Sequence, residues 1–329
     1  DATKGFDQGC KTMSGTIAPF VGTDNAARDM DLIRQAVGDA KLTYVGFSYG
    51  TFLGATYAKL FPTHIRAMVL DGAENPALDP VTFQTSQSVA FEKQLDAFFA
   101  FCSVTPTCAW KPAGDPHGAY QALMARLVSQ PLPGVGARTL GPGEALTGVT
   151  ATLYDQASWP VLGVALQRAS TGDGSILLKL GDLYNGRMRD GTYTNLSSAH
   201  TAVSCMDDPV TKNLKVVRSD GAKAIAEAPD FGGYSGLSCA LWPYKPTGHP
   251  QAITAAASPP IVVVGSTGDP ATPYADAQAL AKQLKHGMLV TRVGNGHTGY
   301  MFSQCVRNSV DSYLIASTVP APGTSCPSP

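Results

Sequence analysis

The pentapeptide GFSYG at residues 46–50 constrains the fold more than any other stretch of this sequence. It follows the short apolar run KLTYV and precedes TFLGATYAKL, so a serine stands where a buried strand ends and a helix begins. So sharp a turn strains the backbone at Ser48, and Gly46 and Gly50 remove side chains that would clash as strand and helix close up. The pattern predicts a serine hydroxyl held above a sheet, at the positive end of a helix, as a nucleophile is.

Strands and helices alternate around this turn. Apolar strands are predicted in KLTYVGF, RAMVLDG, PPIVVVGS and MLVTRVG, and helices in TFLGATYAKLF, YADAQALAKQLKHG and CVRNSVDSYLIAS. A further helix, TDNAARDMDLIRQAVG, has Ala26, Met30, Ile33 and Val37 on one stripe. This order predicts an α/β fold in which a mostly parallel sheet is covered by helices on both faces.

The alternation fades in the middle of the chain, where turn-rich stretches separate helical ones. We therefore expect residues 1–78 to form the first part of the α/β core, 79–257 a mainly helical cap, and 258–329 the second part of the core. Insertions of this kind often act as lids over a site at the strand ends.

A serine nucleophile needs a base and a carboxylate that orients it, in the chain order Ser, Asp, His for this kind of turn. Asp269 follows the strand PPIVVVGS, and His297 follows MLVTRVG, so both are predicted at the sheet edge that carries Ser48. Asp71 also follows a strand and is the rival orienter. Asp269 is preferred because its strand comes late, next to the strand that precedes His297.

Two further groups belong to this predicted triad. The backbone N–H of Tyr49 is expected to point at the oxyanion of a tetrahedral intermediate. Thr272 is placed to hydrogen-bond the Asp269 carboxylate, although an ordinary turn-forming role is equally compatible with its position.

Composition excludes several other classes of function. The chain has 329 residues, 44% of them hydrophobic, with a net charge of −1 and only 15% charged residues. Nucleic acid and anionic membranes require concentrated positive charge, and no apolar run approaches the ~20 residues of a membrane span. The sequence contains neither C-x-x-C nor H-E-x-x-H, so we expect no metal site, and a serine triad needs no cofactor.

Seven cysteines point to an oxidising compartment. Three pairs are placed to close local loops, namely Cys102 with Cys108, Cys205 with Cys239, and Cys305 with Cys326. Disulfides of this kind predict a secreted protein, whereas reduced buried thiols in a cytosolic enzyme are the alternative. Cys10 is left without a partner in the chain.

The run DNAARDMDLIRQAVGDAKLTYVGFSYGTFLGATYAKLFP resembles the nucleophile region of secreted bacterial tripeptidyl aminopeptidases, which are serine exopeptidases of the α/β-hydrolase fold. GSTGDPATP, GNGHTGY and CVRNSVDSYL…PAPGTSC resemble the C-terminal segment of that family. The resemblance implies that Ser48, Asp269 and His297 match the triad, that the insertion matches the helical cap, and that peptides with free N-termini are the substrates.

The sequence departs from the family pattern before the nucleophile. An α/β-hydrolase has several strands upstream of it, and one of their loops supplies the second oxyanion N–H. The N-terminal strands of the fold are therefore expected to be missing from this chain. We expect a fragment of the same precursor to supply these strands and the second donor, with Cys10 as its disulfide partner.

The preferred function is an aminopeptidase that releases di- or tripeptides. An esterase or amidase acting on small molecules with the same triad is the first alternative, and a non-catalytic binding module is the second. An aminopeptidase needs an acidic group for the substrate amine. The candidates are Glu74, Glu92, Asp207 and Asp208, although the sequence by itself favours a solvated helix or loop face for each of them.

Overall fold

The computed structural model describes residues 2–233 and 236–327. The chain packs as two compact units. The first contains the residues up to Ala90, Ala199–Glu227 and the residues from Gly232 onward; the second contains Phe91–Ser198 and Ala228–Phe231. The cap limits expected at residues 79 and 257 stay a prediction.

The described residues form seven strands and thirteen α-helices. The strands are β1 Leu42–Phe47, β2 Ile65–Asp71, β3 Leu132–Pro133, β4 Thr139–Leu140, β5 Ile261–Gly268, β6 Gly287–Asn295 and β7 Ser325–Cys326. The helices are α1 Ala2–Ser14, α2 Thr23–Ala36, α3 Tyr49–Leu60, α4 Pro80–Val104, α5 Pro116–Ser129, α6 Pro142–Leu153, α7 Trp159–Ser170, α8 Ser175–Tyr184, α9 Leu196–Asp207, α10 Leu214–Glu227, α11 Leu237–Leu241, α12 Tyr274–Gln283 and α13 Gln304–Ala316.

A five-stranded parallel sheet organises the first unit, in the order β1-β2-β5-β6-β7. Four of these strands are the ones expected from the sequence. The fifth, β7, lies in the Pro/Gly-rich tail, where two residues pair with Thr291 and Arg292 of β6. Within the described residues β1 is the edge strand, with β2 as its hydrogen-bonded neighbour.

Helices cover the sheet on both faces. Alternation along β2 sends Met68 and Leu70 to a core shared with α2, α3 and α12, and sends Ala67 and Val69 to a second core shared with α13. All four side chains are fully buried. Because both faces of the strands are buried, their sequences are continuous apolar runs, as is typical of parallel strands in α/β proteins.

One predicted helix buries a different face from the one expected. In α2 the buried residues are Thr23, Ala27 and Asp31, whereas Ile33 and Val37 are mostly exposed. Asp31 is satisfied within the unit, because it accepts hydrogen bonds from Arg34, Tyr57 and other neighbours.

The second unit is mainly helical. It contains α5 to α8, the C-terminal part of α4 and the short antiparallel hairpin of β3 and β4. Its buried residues include Phe98, Tyr120, Leu153 and Trp159.

Three disulfides join the expected cysteine pairs: Cys102–Cys108, Cys205–Cys239 and Cys305–Cys326. The last of these ties β7 to α13. Cys10 is a partly buried free thiol that packs beside the core of Cys205 and Trp242. None of the described helices combines the length and the apolarity that crossing a bilayer requires.

Candidate active site

Ser48 stands alone between β1 and α3, with φ 54° and ψ −126°. A non-glycine residue in this region of backbone space is strained, and such strain is concentrated at functional sites. Gly46 is required by the same turn, because a Cβ there would lie 2.3 Å from the carbonyl oxygen of Gly50. The turn is held by the Thr51 N–H, which donates to the Ser48 carbonyl over 2.7 Å. The structure thus has the strained strand-to-helix turn that GFSYG predicts.

Tyr49 is the first residue of α3, so its backbone N–H lies at the positive end of the helix. The side chain turns elsewhere. Its hydroxyl lies 2.6 Å from Thr23 Oγ1, and burial raises the pKa of the phenol to about 12. The phenol therefore stays protonated at neutral pH and acts as a fixed wall of the neighbouring cavity.

His297 and Asp269 meet at the carboxyl ends of β6 and β5. His297 Nδ1 lies 2.8 Å from Asp269 Oδ1 and 2.9 Å from Oδ2, and both side chains are buried. The Asp269 carboxylate also accepts hydrogen bonds from the backbone N–H groups of Ala271, Thr272 and Thr298. These donors hold Asp269 as the hydrogen-bond acceptor for Nδ1–H, which leaves Nε2 as the nitrogen that can take a proton.

Thr272 reaches this pair from the side. Its Oγ1 lies 3.4 Å from His297 Nδ1, while its backbone N–H donates to Asp269. The hydrogen bond from Thr272 to the Asp269 carboxylate is thus made by the backbone N–H, whereas the hydroxyl lies near the imidazole.

The rival carboxylate, Asp71, has a different neighbourhood. It is fully buried and accepts the backbone N–H groups of Gly299 and Tyr300 over 2.7 and 2.8 Å. Its carbonyl accepts the Ser48 N–H over 3.0 Å. Burial raises the pKa of Asp71 to about 6. Asp71 thus ties the Ser48 turn to the loop that carries His297, whereas Asp269 contacts the imidazole itself.

The segment around His297 is tightly built. Thr298 has φ 73°, a left-handed conformation that only a well-determined loop sustains in a β-branched residue. Gly72, with φ 68°, faces the imidazole, because a Cβ there would lie 2.9 Å from His297 Cε1. Any larger residue at position 72 would displace the ring.

Opposing effects set the protonation of His297. Burial alone lowers the pKa of the imidazole, but Asp269, followed by Asp71 and Glu74, raises it above its ordinary value. The imidazolium is therefore favoured by the surrounding carboxylates, as a general base requires when it receives a proton.

A cavity of about 90 Å³ in the first unit is lined by Tyr49 and by acidic side chains, Glu74, Asp207 and Asp208. Burial, reinforced by Asp208, raises the pKa of Glu74 to about 8, and burial, reinforced by Asp207, raises that of Asp208 to about 7. Asp207 is buried and Glu74 and Asp208 are partly buried, and carboxyl groups so close together destabilise one another's charged forms. The cavity therefore favours a cationic ligand.

The three acidic groups are not equivalent. Asp207 receives the backbone N–H and the hydroxyl of Thr23 over 2.7 and 2.6 Å, so it holds the first residue of α2. Glu74 follows Gly72 closely in the chain, and its N–H donates to Thr51 Oγ1. Thr51 in turn donates to the Ser48 carbonyl, which places Glu74 beside the strained turn.

Glu92, the fourth acidic candidate, belongs to the second unit and does not line this cavity. It lies with His117 and Asp230. Burial and the neighbouring Asp230 raise the pKa of Glu92 to about 7. Sequence reasoning missed this group, because its members are 25 and 113 residues apart and match no motif.

Two family models match the chain. Residues 5–111 match the model described as alpha/beta hydrolase fold, and residues 228–326 match the model described as TAP-like protein. The chain has the α/β-hydrolase fold, and its C-terminal part is similar to TAP-like proteins. This confirms the predicted fold and the family resemblance, since the matched segments carry GFSYG, GSTGDPATP and GNGHTGY.

Three named proteins are similar to this chain over most of its length. Serine protease Hip1 of Mycobacterium tuberculosis is 38% identical over 98% of the chain and 65% of that protein. Carboxylesterase B of the same species is 38% identical over 93% and 60%, and tripeptidyl aminopeptidase of Streptomyces lividans is 31% identical over 98% and 61%. The chain thus spans less than two thirds of the length of these relatives.

Proposed function

We propose that the chain carries the catalytic triad of a secreted serine aminopeptidase, with Ser48 as nucleophile, His297 as base and Asp269 as orienter. The observation that carries the proposal is the buried His297–Asp269 pair beside the strained Ser48 turn, next to a cavity of carboxyl groups. Relatives named as a serine protease and as a tripeptidyl aminopeptidase support the peptidase class. The three disulfides favour an oxidising, extracellular location.

The reaction follows from the roles of these groups. His297 Nε2 takes the proton of the Ser48 hydroxyl as the oxygen attacks the substrate carbonyl, and the imidazolium is stabilised by Asp269. The oxyanion accepts the Tyr49 N–H, and a second donor comes from outside this chain. The imidazolium then protonates the leaving amine, and an acyl-enzyme remains on Ser48. Water, deprotonated by His297, releases the peptide acid.

We assign the free α-amine of the substrate to Glu74 and Asp208. An ammonium group in this cavity lowers the pKa of both carboxyl groups, so binding of the cation drives their ionisation. Asp207 is left to hold Thr23. A peptide anchored by its N-terminus reaches Ser48 with only a short length of chain, which gives release of di- or tripeptides.

Loss of a carboxylate is expected to weaken amine recognition selectively. Glu74→Gln should lower kcat/KM for a tripeptide anilide by ~30-fold or more, the loss typical when one partner of a buried charge pair is removed. N-acetylation of the anilide should abolish the difference between wild type and Glu74→Gln. Steady-state kinetics on both substrates measure this, with the exposed Glu227→Gln as a matched control that leaves both rates unchanged. Equal loss on acetylated and free substrates would contradict the assignment to Glu74.

The esterase alternative is favoured by one observation, the relative named Carboxylesterase B. It uses the same triad but needs no ammonium in the acidic cavity. A wild-type enzyme that hydrolyses acetylated and free substrates at equal rates, and prefers esters to anilides, would support this alternative and overturn the aminopeptidase proposal.

The pH dependence of kcat/KM should reveal the carboxylates around His297. Activity requires neutral His297, and the pKa of this imidazole is raised, so the acid limb should have its midpoint above the ordinary value of ~6.5. Asp71→Asn removes a negative charge and should move the midpoint to lower pH. Initial rates are measured on an N-acetylated ester, which has no free amine to titrate. The acid limb then reports groups of the enzyme rather than of the substrate. A midpoint that does not move in Asp71→Asn would contradict the electrostatic role of Asp71.

We further propose that another segment of the precursor covers the β1 edge. Apolar side chains at and near β1 are exposed, namely Phe47 on the strand and Leu32, Ile33 and Val37 on α2. An additional strand-bearing segment would pair the free edge and bury these groups, and Cys10 is the available thiol for a covalent link. The non-reduced intact mass of the active species tests this. A fully active species with the mass of these 329 residues alone would contradict it.

A further inference from the structure

Side chains from three separate segments converge in the second unit, which contains none of the groups assigned to catalysis. Glu92 comes from α4, His117 from the first turn of α5, and Asp230 from the returning segment Ala228–Phe231. One ligand atom of each lies within 4.8 Å of the others. His117 Nε2 lies 2.5 Å from Asp230 Oδ2 and 3.7 Å from Glu92 Oε1.

Each of these three groups is oriented by a further contact. His117 Nδ1 lies 3.2 Å from an oxygen of Asp96, which accepts from Nδ1–H, and Nε2 faces Asp230 and Glu92; a metal ion bound there takes the place of the proton that Nε2 otherwise shares with Asp230. Glu92 Oε2 accepts the Asp230 N–H over 3.1 Å, and Asp230 Oδ1 accepts from Gln121 Nε2 over 3.3 Å. In protein metal sites, the histidine ring nitrogen that does not bind the metal typically donates its hydrogen to a carboxylate.

The side chain of Tyr120 is an independent observation that indicates a further ligand in this cluster. This residue is fully buried, and its hydroxyl makes no hydrogen bond to any described residue. Tyr120 lies three residues after His117 on α5, and both rings pack against Phe99. An unpartnered buried phenol in such a position is costly unless a further ligand completes the arrangement.

We propose that Glu92, His117 and Asp230 bind one Zn²⁺ ion, through Oε1, Nε2 and Oδ2. One imidazole and two carboxylates are ligands that Zn²⁺ accepts at distances of about 2.0–2.2 Å. The separations in the cluster need only small side-chain shifts to reach the ~3.3 Å between ligand atoms of such a tetrahedron. The fourth position is left for water.

The ion would link α4, α5 and the segment Ala228–Phe231. Its role is structural, because binding energy at such a site is also folding energy for the segments that it joins. It holds the returning segment in the second unit and takes no part in the chemistry at Ser48. The inference is therefore independent of the proposed function, and each can fail without the other.

Metal content of the untagged protein tests the site. After treatment with a chelator and dialysis against Zn²⁺ at pH 7.5, mass spectrometry of bound metal should find one zinc per chain. Glu92→Gln, His117→Gln and Asp230→Asn should each weaken zinc binding by at least ~100-fold, and Asp96→Asn by about 10- to 100-fold, as losses around metal sites do. Asp190→Asn, an exposed carboxylate change in the same unit, should bind zinc as the wild type does.

Thermal unfolding supplies a second readout that remains informative if a variant folds poorly. Zn²⁺ should raise the Tm of the wild type and of Asp190→Asn, and should raise that of Glu92→Gln much less. No zinc retained by the wild type would overturn the proposal and leave an ion-pair cluster of a protonated His117. Equal zinc binding by wild type and Glu92→Gln would overturn it as well.

Discussion

Replacing Ser48 by alanine should lower hydrolysis by on the order of 10⁴-fold or more, with little change in KM. The magnitude follows from the loss of covalent catalysis, since removal of one triad member leaves only substrate binding and oxyanion stabilisation. The strained backbone at Ser48 is imposed by the turn between β1 and α3, and alanine fits the same space, so folding should be retained. Steady-state kinetics on a tripeptide anilide, together with the Tm, measure both expectations.

Ser103→Ala is the matched control for this change, because Ser103 is an exposed serine on α4. It should leave both kcat and the Tm at wild-type values. A Ser48→Ala protein that folds normally and keeps more than a small fraction of wild-type kcat would show that another residue is the nucleophile.

Replacing Asp269 by asparagine should lower kcat by about 10⁴-fold, because the amide no longer holds the tautomer with Nδ1–H, and a proton on Nε2 prevents that nitrogen from taking the Ser48 proton. The Asp269 carboxylate is the group in contact with His297 Nδ1, at 2.8 and 2.9 Å. Asp71→Asn should cost less activity, since Asp71 accepts the backbone N–H groups of Gly299 and Tyr300 instead. Measuring kcat and Tm for both variants separates the two roles.

The two carboxylates should differ in activity rather than in stability. Both variants should lower the Tm, because asparagine offers one acceptor oxygen where backbone N–H groups bond to both oxygens of each carboxylate, but only Asp269→Asn should lose most of kcat. If Asp71→Asn kept its Tm and were the slower enzyme, Asp71 would be the orienter.

The parts of the site that could be predicted from the sequence are those with a local signal. A strand that changes into a helix within GFSYG defines the turn at Ser48, and the loops TGDP and NGH each follow an apolar strand. Because parallel strands end at one edge of a sheet, order along the chain was enough to expect Asp269 and His297 near each other. The geometry of their hydrogen bond was not predictable at that level.

What the sequence did not reveal depends on contacts between distant residues. Asp31 is buried on α2 because Arg34 satisfies it from the same helix and Tyr57 from α3, so the apolar stripe through Ile33 and Val37 gave the wrong inward face. The cluster of Glu92, His117 and Asp230 has no motif for the same reason. The strand β7 was not expected, because it lies in a tail of turn residues. The disulfide Cys305–Cys326 ties it to α13.

Labelling with a fluorophosphonate probe tests the central claim most directly. Such a probe reacts with a serine only where a base and an oxyanion site activate it, so it reports the whole arrangement rather than one side chain. Peptide mapping of the labelled protein should find one adduct, on Ser48, and His297→Ala should abolish it. An adduct on another serine, or an active protein without any adduct, would contradict the assignment of Ser48, His297 and Asp269 as the triad.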